Sequence, residues 1–547
     1  VPIVKESFLT ECLKIKGCAL LQSHLIHCSG TVIEPSMEDD RRTNNTIDQA
    51  AKYSGQGSTS LVIKGRVALE IDPDDREHGS LVQTHHVLDT GGVVWSCSLT
   101  IVNTTLNKNS FYKIQILERD GAQRDYRIFK KWGRTGTKQG QSMVERFGSK
   151  DAAQGQFETL FREKTGNSWQ NRDRFEKKAK FMNYVPQEFS APSASLKEKL
   201  NDALTKCKLE PQVAELVSSL FDKEAMVETM QEMEIDLSKM PLGKIKRSEI
   251  EKGYVILQEL ETALRSNSED LQRVIKRCTN QFYSIIPHSF GNKRPPMIDD
   301  LEKVKSKVEL VETLLDMECA SRIIKKEEDG DKMQEDTHPL DAYYSQLNTK
   351  IQTLDKEGEE FKMIETYVKN THAKTHSSYK IVIEEVFKIK REGEKKVFAK
   401  HKSLHNKRLL WHGSRMSNFV GILSEGLRIA PPSAPVTGYM FGKGVYFADM
   451  VSKSANYCFA NHRQPKGLMA LSEVALGNMY ECKHATYVVG HDQNPSKDQD
   501  ATVDYVRLPK NNHSTFGMGT TMPAVKSQKI LDNGVVVPLG QAEPVKV

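Results

Sequence analysis

Three patterns of apolar and polar residues follow one another along the chain. Short apolar runs that predict β-strands recur between residues 61 and 170, at 61–63, 93–95, 111–117 and 126–129. From 196 to 325 the apolar residues recur three and four positions apart, the spacing of helices that bury one face. Residues 338–547 mix both patterns. The sequence therefore predicts a multidomain α+β protein with a β-rich region, an all-α bundle and a mixed α+β region, in that order.

The helical spacing is clearest in two segments of the predicted bundle. The first comprises Val213, Leu216, Val217, Leu220 and Phe221. The second comprises Val304, Val308, Val311 and Leu315. Pro211 precedes the first segment, and its fixed φ and missing amide hydrogen suit the first turn of a helix. A charged stretch at 325–336 follows the bundle and predicts a linker.

The first sixty residues have a different pattern. A strand-like apolar run at 2–4 precedes a helix candidate at 7–13, and this pair is too short to close a core alone. Residues 34–60 are polar and carry glycines and serines, a composition typical of a linker. We therefore expect a small structured remnant over 1–33 and a linker over 34–60.

Composition excludes several classes of protein. With 38% hydrophobic and 7% aromatic residues among 547, the chain is neither disordered nor fibrous. The formal net charge is only +6, so any nucleic-acid binding must come from local basic patches. The nine cysteines form no CxxC pair, which argues for reduced thiols and against a disulfide framework or a zinc site. No apolar run approaches the roughly 20 residues of a membrane span.

The candidate chemistry lies between residues 408 and 458. An apolar run at 409–411, interpreted as a buried strand, ends in His412-Gly413-Ser414. The missing Cβ of Gly413 would let a ligand approach the backbone, and a planar amide could pair with it. Ser417 and Gly426 are placed as the N-cap and the stop of a short helix.

A second short helix is expected after Asp449, which is placed as its N-cap. On this helix Ser454 and Tyr457 would share one face, so that a hydroxyl and an aromatic ring lie side by side.

Three motifs in this stretch resemble the NAD-binding core of the poly(ADP-ribose) polymerases. They are HGSR at 412–415, GYMFGKGVYFAD at 438–449 and SKSANYC at 452–458. Taken one at a time, these residues also fit ordinary strand–helix–strand–helix core with a satisfied histidine. The joint set favours the family.

The resemblance implies that NAD+ is the substrate and assigns roles to the motif residues. The implied catalytic residues are His412, Tyr446 and Lys453. The implied NAD-binding residues are His412, Gly413, Ser414, Gly421, Arg428, Tyr446, Ser454 and Tyr457. Within this set the Gly413 backbone pairs with the nicotinamide carboxamide, and Ser454 adds a hydroxyl hydrogen bond. Tyr446 and Tyr457 enclose the flat ring, beside which Lys453 lies.

The other implied contacts lie on either side of the nicotinamide. His412 would hold the adenosine ribose, with Ser414 and Gly421 lining that pocket and Arg428 near the adenosine or pyrophosphate. The acceptor side would comprise Tyr439, Met440 and His376. His376 fits a surface histidine equally well.

Further regions resemble other domains of the same family. Trp132-Gly133-Arg134 resembles the signature of a WGR domain, placed at 61–180, and segments at 240–244 and 282–288 resemble the helical regulatory domain, placed at 196–325. The catalytic ADP-ribosyltransferase domain is placed at 338–547, incomplete at its C-terminus. Residues 1–33 resemble the last strand and helix of a BRCT module. This order is typical of the type that DNA breaks activate.

The WGR resemblance implies that Asn109, Trp132 and Arg134 bind DNA. Trp132 offers a face for stacking, and Arg134 offers a fork of donors for phosphate, next to Lys130 and Lys131. A structural tryptophan at a strand end with a solvated basic rim explains the same residues as well.

One catalytic residue of the family is absent. In the family a glutamate on a late strand binds the ribose 2′-hydroxyl, stabilises the cation and activates the acceptor hydroxyl. Here VPLG at 537–540 is followed only by 541–547, where Glu543 lacks the family's context, so we expect the catalytic glutamate to lie beyond Val547. We expect that the sequence is clipped at both ends. Strands of the C-terminal sheet would then be left unpaired, and this chain would synthesise no polymer. A natural inactive form is the alternative.

Together these resemblances predict a nuclear NAD+-dependent poly(ADP-ribosyl)transferase, a glycosyltransferase that DNA strand breaks activate. It would modify itself and chromatin proteins during DNA repair. The expected partners are broken or nicked DNA, protein acceptors including itself, and chromatin and repair proteins, with no membrane and no metal. The alternatives are a catalytically inactive scaffold that binds DNA ends and a mono-ADP-ribosylating enzyme.

Overall fold

The computed structural model describes residues 2–5, 22–32, 69–71, 77–137, 140–187, 207–237, 239–240, 246–266, 270–329, 338–461, 464–490 and 505–545. The predicted helix at 7–13, the predicted linker over 34–60 and the predicted strand at 61–63 lie outside the described residues. The stretch predicted as a linker at 325–336 is helical as far as Asp329, and its remainder also lies outside them.

Antiparallel strands between residues 85 and 185 form the sheet that the first pattern predicts. The strands between these residues are β3 (His85–Val87), β4 (Asp89–Thr90), β5 (Val93–Val94), β6 (Ser96–Asn103), β7 (Lys108–Arg119), β8 (Tyr126–Arg134), β9 (Gly140–Phe147) and β10 (Asn183–Val185). The strand order is β10-β6-β7-β8-β9, with β3 also on β7, while β4 and β5 pair separately.

Two helices accompany this sheet, α1 (Leu81–Thr84) and α2 (Lys150–Thr165). The Ser149 hydroxyl caps α2 by accepting from the Ala152 amide at 3.2 Å. Phe157 and Phe161 on α2 are fully buried and meet Trp169 edge to face. These rings form the core between α2 and the sheet.

The helical spacing produces five helices among the described residues from 207 to 329. They are α3 (Pro211–Leu220), α4 (Lys223–Glu232), α5 (Arg247–Ser266), α6 (Leu271–Ile285) and α7 (Leu301–Asp329). Pro211 occupies the first turn of α3 as predicted. A Cβ at Gly253 on α5 would lie 3.1 Å from the Val311 side chain on α7, so these two helices are closely packed.

Residues 338–545 mix helices and strands as predicted. The helices are α8 (Pro339–Gln346), α9 (Glu359–Asn370), α10 (Glu394–Phe398), α11 (Phe419–Glu425) and α12 (Val451–Ala455). The strands are β11 (Thr349–Thr353), β12 (Tyr379–Arg391), β13 (Lys407–Ser414), β14 (Gly444–Tyr446), β15 (Lys466–Ala475), β16 (Met479–Cys482), β17 (Tyr487–Val489), β18 (Tyr505–Arg507), β19 (Ser514–Gly517), β20 (Thr521–Pro523), β21 (Lys529–Ile530), β22 (Val536–Val537) and β23 (Ala542–Pro544).

Two strands from the N-terminus take part in the C-terminal sheets. They are β1 (Pro2–Lys5) and β2 (Gln22–Val32). The larger sheet has the order β11-β12-β2-β15-β13-β22-β21 and the smaller one β14-β1-β19-β16. The expectation of unpaired strands is therefore wrong for β12 and β15, because β2 pairs with both. The BRCT assignment of residues 1–33 stays a prediction.

The β-rich region and the bundle meet at a polar junction centred on His288. This ring is fully buried, and burial together with the Lys307 charge lowers its pKa well below the usual range. Its Nδ1 lies 2.7 Å from the Ile286 carbonyl, so Nδ1 carries the proton and Nε2 accepts from the Lys307 ammonium at 3.0 Å. The His288 carbonyl accepts from Asn109 of β7 at 3.1 Å. This histidine therefore joins the two regions.

No helix among the described residues has both the length and the apolar character that crossing a membrane requires.

Candidate active site

The site is built where β13 meets α12. The Ser454 hydroxyl, nearly fully buried, donates to the Trp411 carbonyl at 3.0 Å. A Cβ at Gly413 would lie 1.9 Å from the Ser454 carbonyl oxygen. The missing Cβ of Gly413 therefore makes room for the backbone of α12, and the predicted approach of a ligand to Gly413 stays a prediction. Gly413 and Ser454 are brought into direct contact, as their predicted shared role requires.

Two tyrosines and a lysine border this contact. The Tyr446 hydroxyl donates to the Gly442 carbonyl at 2.7 Å and accepts from the Phe441 amide at 3.2 Å, which fixes the ring. Burial is the main cause that raises the pKa of Tyr446, and the nearby Tyr457 adds to it. The Tyr457 ring is 51% exposed, with the Lys453 ammonium 5.9 Å from its centroid. A flat ligand could thus contact a fixed ring and an accessible one.

His412 is held as a neutral imidazole. Its Nδ1 lies 2.9 Å from the Tyr446 carbonyl, which can only accept, so Nδ1 carries the proton and Nε2 presents a lone pair. Burial lowers the pKa of His412, so the neutral form predominates at neutral pH. A neutral His412 suits hydrogen bonding to a hydroxyl donor.

Both predicted N-caps are wrong. A 3₁₀ turn at Met416–Asn418 precedes α11, so Asn418 and not Ser417 precedes the helix, and its amide donates to the Ser414 hydroxyl at 3.0 Å. Asp449 lies one residue too early for α12, whose first amide, that of Val451, donates to Thr371 at 3.2 Å. The first amide of α12 thus has a partner that is distant in the sequence, whereas no side chain caps the start of α11. The stop of α11 at Gly426, with φ 90°, is confirmed.

The predicted adenosine side is in contact with the bundle. A Cβ at Gly421 would lie 3.1 Å from Asp316 Oδ1 of α7, and the Arg428 guanidinium donates to that same oxygen at 3.0 Å. Arg428 also pairs with Glu425. A carboxylate from the bundle thus occupies the donors that the prediction assigned to NAD. Glu312 and Asp316 stand four positions apart beside an apolar stripe, but no motif in the sequence indicates a role for Asp316.

The predicted acceptor side also touches α7. The Tyr439 hydroxyl donates to Glu312 Oε1 at 2.5 Å, while the neighbouring Met440 is 58% exposed. Burial raises the pKa of Glu312 to about 7 and that of Asp316 to about 6, the latter in spite of Arg428. Two partly protonated acids therefore lie between the bundle and the site.

These raised pKa values predict a pH-dependent contact. A carboxyl whose pKa is higher in the folded state binds more protons there, so stability should fall by roughly 1–3 kcal/mol as pH rises from about 5 to about 8. Glu312→Gln keeps an acceptor for Tyr439 and removes the charge, and should raise the melting temperature at high pH by about 2–4 °C. Melting curves across this pH range test it, with the exposed Glu302→Gln on the same helix as control. Identical pH profiles for wild type and Glu312→Gln would contradict it.

His376 is tied to α12. Its Nδ1 lies 2.8 Å from the Ser452 hydroxyl, and its Nε2 accepts from the Asn456 amide at 3.3 Å. Burial is the main cause that lowers its pKa. The Tyr379 hydroxyl reaches the same Asn456 side chain at 2.8 Å. Since both ring nitrogens are engaged, the acceptor role of His376 stays a prediction.

Glu543, the glutamate that lacked the family context, lies exposed on β23 opposite Met522 of β20. Among the described residues, Glu543 forms no hydrogen bond with His412 or Ser454. Val547 lies outside the described residues, which end at 545. The catalytic glutamate expected beyond Val547, and the inactivity expected without it, therefore stay predictions.

The predicted DNA-binding residues divide into two groups. Arg134 donates to the carbonyls of Gly291 and Lys293 beyond the bundle's α6, at 2.7 and 2.8 Å, and also binds Asn107. Asn109 is buried in the same junction. Trp132 is half-buried and stacks on Tyr112, with ring centroids 5.9 Å apart and planes at 21°. The stacking contact of Trp132 lies within the β-rich region, whereas Asn109 and Arg134 are bound at the junction.

Three segments of the chain match known protein families. Residues 358–546 match the poly(ADP-ribose) polymerase catalytic domain, residues 207–344 the poly(ADP-ribose) polymerase regulatory domain, and residues 95–176 the WGR domain.

Curated relatives match across these segments. The chain is 44% identical to "Poly [ADP-ribose] polymerase 1" of Gallus gallus over 88% of this chain and 44% of the relative. It is 43% identical to "Poly [ADP-ribose] polymerase 1" of Xenopus laevis over 99% and 52%. It is 38% identical to "Poly [ADP-ribose] polymerase 2" of Homo sapiens over 90% and 80%. The chain thus spans about half the length of the first two relatives.

Proposed function

The chain belongs to the poly(ADP-ribose) polymerase family, and from that premise we propose that its C-terminal region binds NAD+ between β13, β14 and α12 and transfers ADP-ribose from it. The observation that carries this proposal is the contact between Gly413 and Ser454, bordered by Tyr446 and Tyr457. In the reaction, the bond from the ribose to nicotinamide breaks, and nicotinamide leaves with the electron pair. An acceptor oxygen then bonds to that carbon and gives up its proton.

The residues present fit nicotinamide. The Gly413 peptide supplies one donor and one acceptor, which a carboxamide can pair with, and Ser454 adds a hydroxyl whose oxygen can accept from the amide. The fixed Tyr446 ring and the accessible Tyr457 ring can stack on the heteroaromatic faces. Lys453 lies beside Tyr457, on the exposed side of the same pocket.

The residues on the other side fit the rest of NAD+ once the bundle contact opens. His412 presents Nε2 to a ribose hydroxyl, and Ser414 lies next to it on β13. Arg428 would bind the pyrophosphate after release from Asp316. We infer that α7 competes with the nucleotide for Arg428, so that the bundle limits NAD+ binding.

The β-rich region supports activation by DNA. Trp132 and the lysines of β8 would contact a DNA end, and Arg134 with Asn109 would connect that contact to the bundle. We propose that broken or nicked DNA is the activator and that the protein acts in the nucleus on itself, chromatin and repair proteins. The domain order proposed is WGR, regulatory bundle and catalytic domain.

Ligand binding tests the pocket directly. Ser454→Ala removes a buried hydroxyl and should weaken binding of a benzamide-type nicotinamide mimic by about tenfold, which corresponds to one lost hydrogen bond. Calorimetric titration measures it. Ser424→Ala is the matched control, because that hydroxyl also donates to a backbone carbonyl, that of Val420 at 2.7 Å, but on α11 and not at the contact between Gly413 and Ser454. Equal affinities for wild type and Ser454→Ala would place the pocket elsewhere.

A further inference from the structure

The loop at 431–442, which carries Tyr439 and Met440, is tied to its own domain near both ends. At its start the buried Lys443 ammonium donates to the carbonyls of Pro431 and Pro432 at 3.0 and 2.9 Å. At its end the Tyr446 hydroxyl binds the backbone of Phe441 and Gly442. The middle of the loop therefore needs a separate support.

That support is a carboxylate of the bundle. Glu261 on α5 has a side chain only 5% exposed, and its Oε2 accepts from the Val436 amide at 2.6 Å. Its Oε1 accepts from the Thr437 hydroxyl. Each oxygen thus holds a different group of the loop.

An arginine one turn along completes the contact. The Arg265 guanidinium donates to Glu261 Oε1 at 2.9 Å and to the Thr437 hydroxyl oxygen at 3.1 Å. A Glu–Arg pair at i, i+4 on an exposed helix contributes little to stability. Here the loop covers the pair of Glu261 and Arg265. Because a buried carboxylate is destabilising unless its oxygens are fully paired, these hydrogen bonds give the contact a defined geometry.

We propose that Glu261 is a positioning residue: it fixes the middle of the 431–442 loop and thereby places Tyr439 and Met440 on the acceptor side of the site. This inference rests on the proposed function and adds to it that α5 governs where the acceptor binds, separately from the contact of Asp316 with Arg428. Tyr439 reaches Glu312 of α7 from the same loop, so two helices of the bundle hold adjacent loop positions.

Glu261→Gln tests the positioning role. The amide nitrogen that replaces one oxygen cannot accept a hydrogen bond. Because Arg265 and the Thr437 hydroxyl both donate to Oε1, the nitrogen takes the place of Oε2 and leaves the Val436 amide without its acceptor. Hydrogen exchange of the Val436 amide in the full-length protein should become about tenfold faster. Glu259→Gln is the matched control: it lies on the same helix and pairs at 2.5 Å with Arg277 of α6, on the bundle surface and not with the loop. Unchanged exchange in Glu261→Gln would overturn the proposal.

Product partition supplies a readout that a merely structural role would not move. With the loop loosened, the ratio of ADP-ribose transferred to protein over NAD+ hydrolysed by water should fall at least threefold, with KM for NAD+ little changed. Thr437→Val removes the loop side of the contact and should give the same result, which keeps the test valid if Glu261→Gln folds poorly. An unchanged ratio in both variants would overturn the acceptor-side role. A wild-type protein that does not bind a benzamide-type nicotinamide mimic would overturn the proposed function, while exchange would still decide whether Glu261 anchors the loop.

Discussion

Gly413→Ala is expected to abolish binding of nicotinamide-type ligands, with a loss in affinity of at least about a hundredfold. The added methyl carbon would lie 1.9 Å from the Ser454 carbonyl oxygen and 2.7 Å from its carbon. The strand cannot retreat, because Gly413 is paired with Met469 of β15 and Trp411 exchanges backbone hydrogen bonds with Ala448. The element that shifts must therefore be α12, and Ser454 moves with it.

Calorimetry with a benzamide-type ligand measures this effect, and a melting curve of the same variant shows whether the fold survives. Gly148→Ala is the matched control, since a Cβ there would meet no atom within 4 Å. Near-normal affinity in Gly413→Ala would show that α12 can shift without disturbing the pocket, and would remove the contact from the explanation of ligand binding.

Substitutions at positions 132 and 134 are expected to separate DNA binding from its effect on the site. Trp132→Ala removes a stacking face and should weaken binding of a broken DNA duplex about tenfold. Arg134→Ala should change this affinity by less than about threefold and yet reduce DNA-stimulated NAD+ turnover by at least about tenfold, because it leaves two carbonyls of the junction without their donors.

Fluorescence anisotropy at physiological salt and turnover at saturating DNA, both on the full-length protein, provide the two readouts. Arg127→Ala is the control: it lies on the same strand, and its guanidinium pairs with Asp125 inside the β-rich region at 2.8 Å. If Arg134→Ala instead lost DNA affinity while keeping full stimulation at saturation, Arg134 would be a DNA contact, as the sequence first indicated.

The sequence correctly predicted features that depend on the backbone preference of one residue or on the spacing of apolar residues within one helix. Pro211 starts α3 because its ring favours the first turn, and Gly426 ends α11 because its positive φ suits glycine. The apolar spacing of Val304, Val308 and Val311 predicted the buried face of α7. The motif residues Gly413 and Ser454 lie in direct contact, and the roles that the resemblance assigns to them stay predictions.

Contacts between distant residues were beyond such rules. Asp316 meets Arg428 across 112 positions and Glu261 meets Val436 across 175, and no periodicity connects them. Ser417 and Asp449 were predicted as N-caps because their side chains suit that role. The first amide of α12 instead donates to the hydroxyl of Thr371, the residue that follows α9. Arg134 was expected to bind phosphate, because no residue close to it in the sequence indicates that its guanidinium binds the carbonyls of Gly291 and Lys293.

The contacts of His288 at the junction imply an order in which His288 and Lys307 can be substituted during evolution. Lys307 donates to the imidazole nitrogen, and burial lowers the lysine pKa to about 8, so the ammonium depends on this acceptor. Substitution of His288 alone would leave the buried Lys307 ammonium without this acceptor. Substitution of Lys307 first would leave a neutral imidazole without its donor, which costs less free energy than an unpaired buried charge. In an alignment of relatives we therefore expect the lysine to be replaced before the histidine.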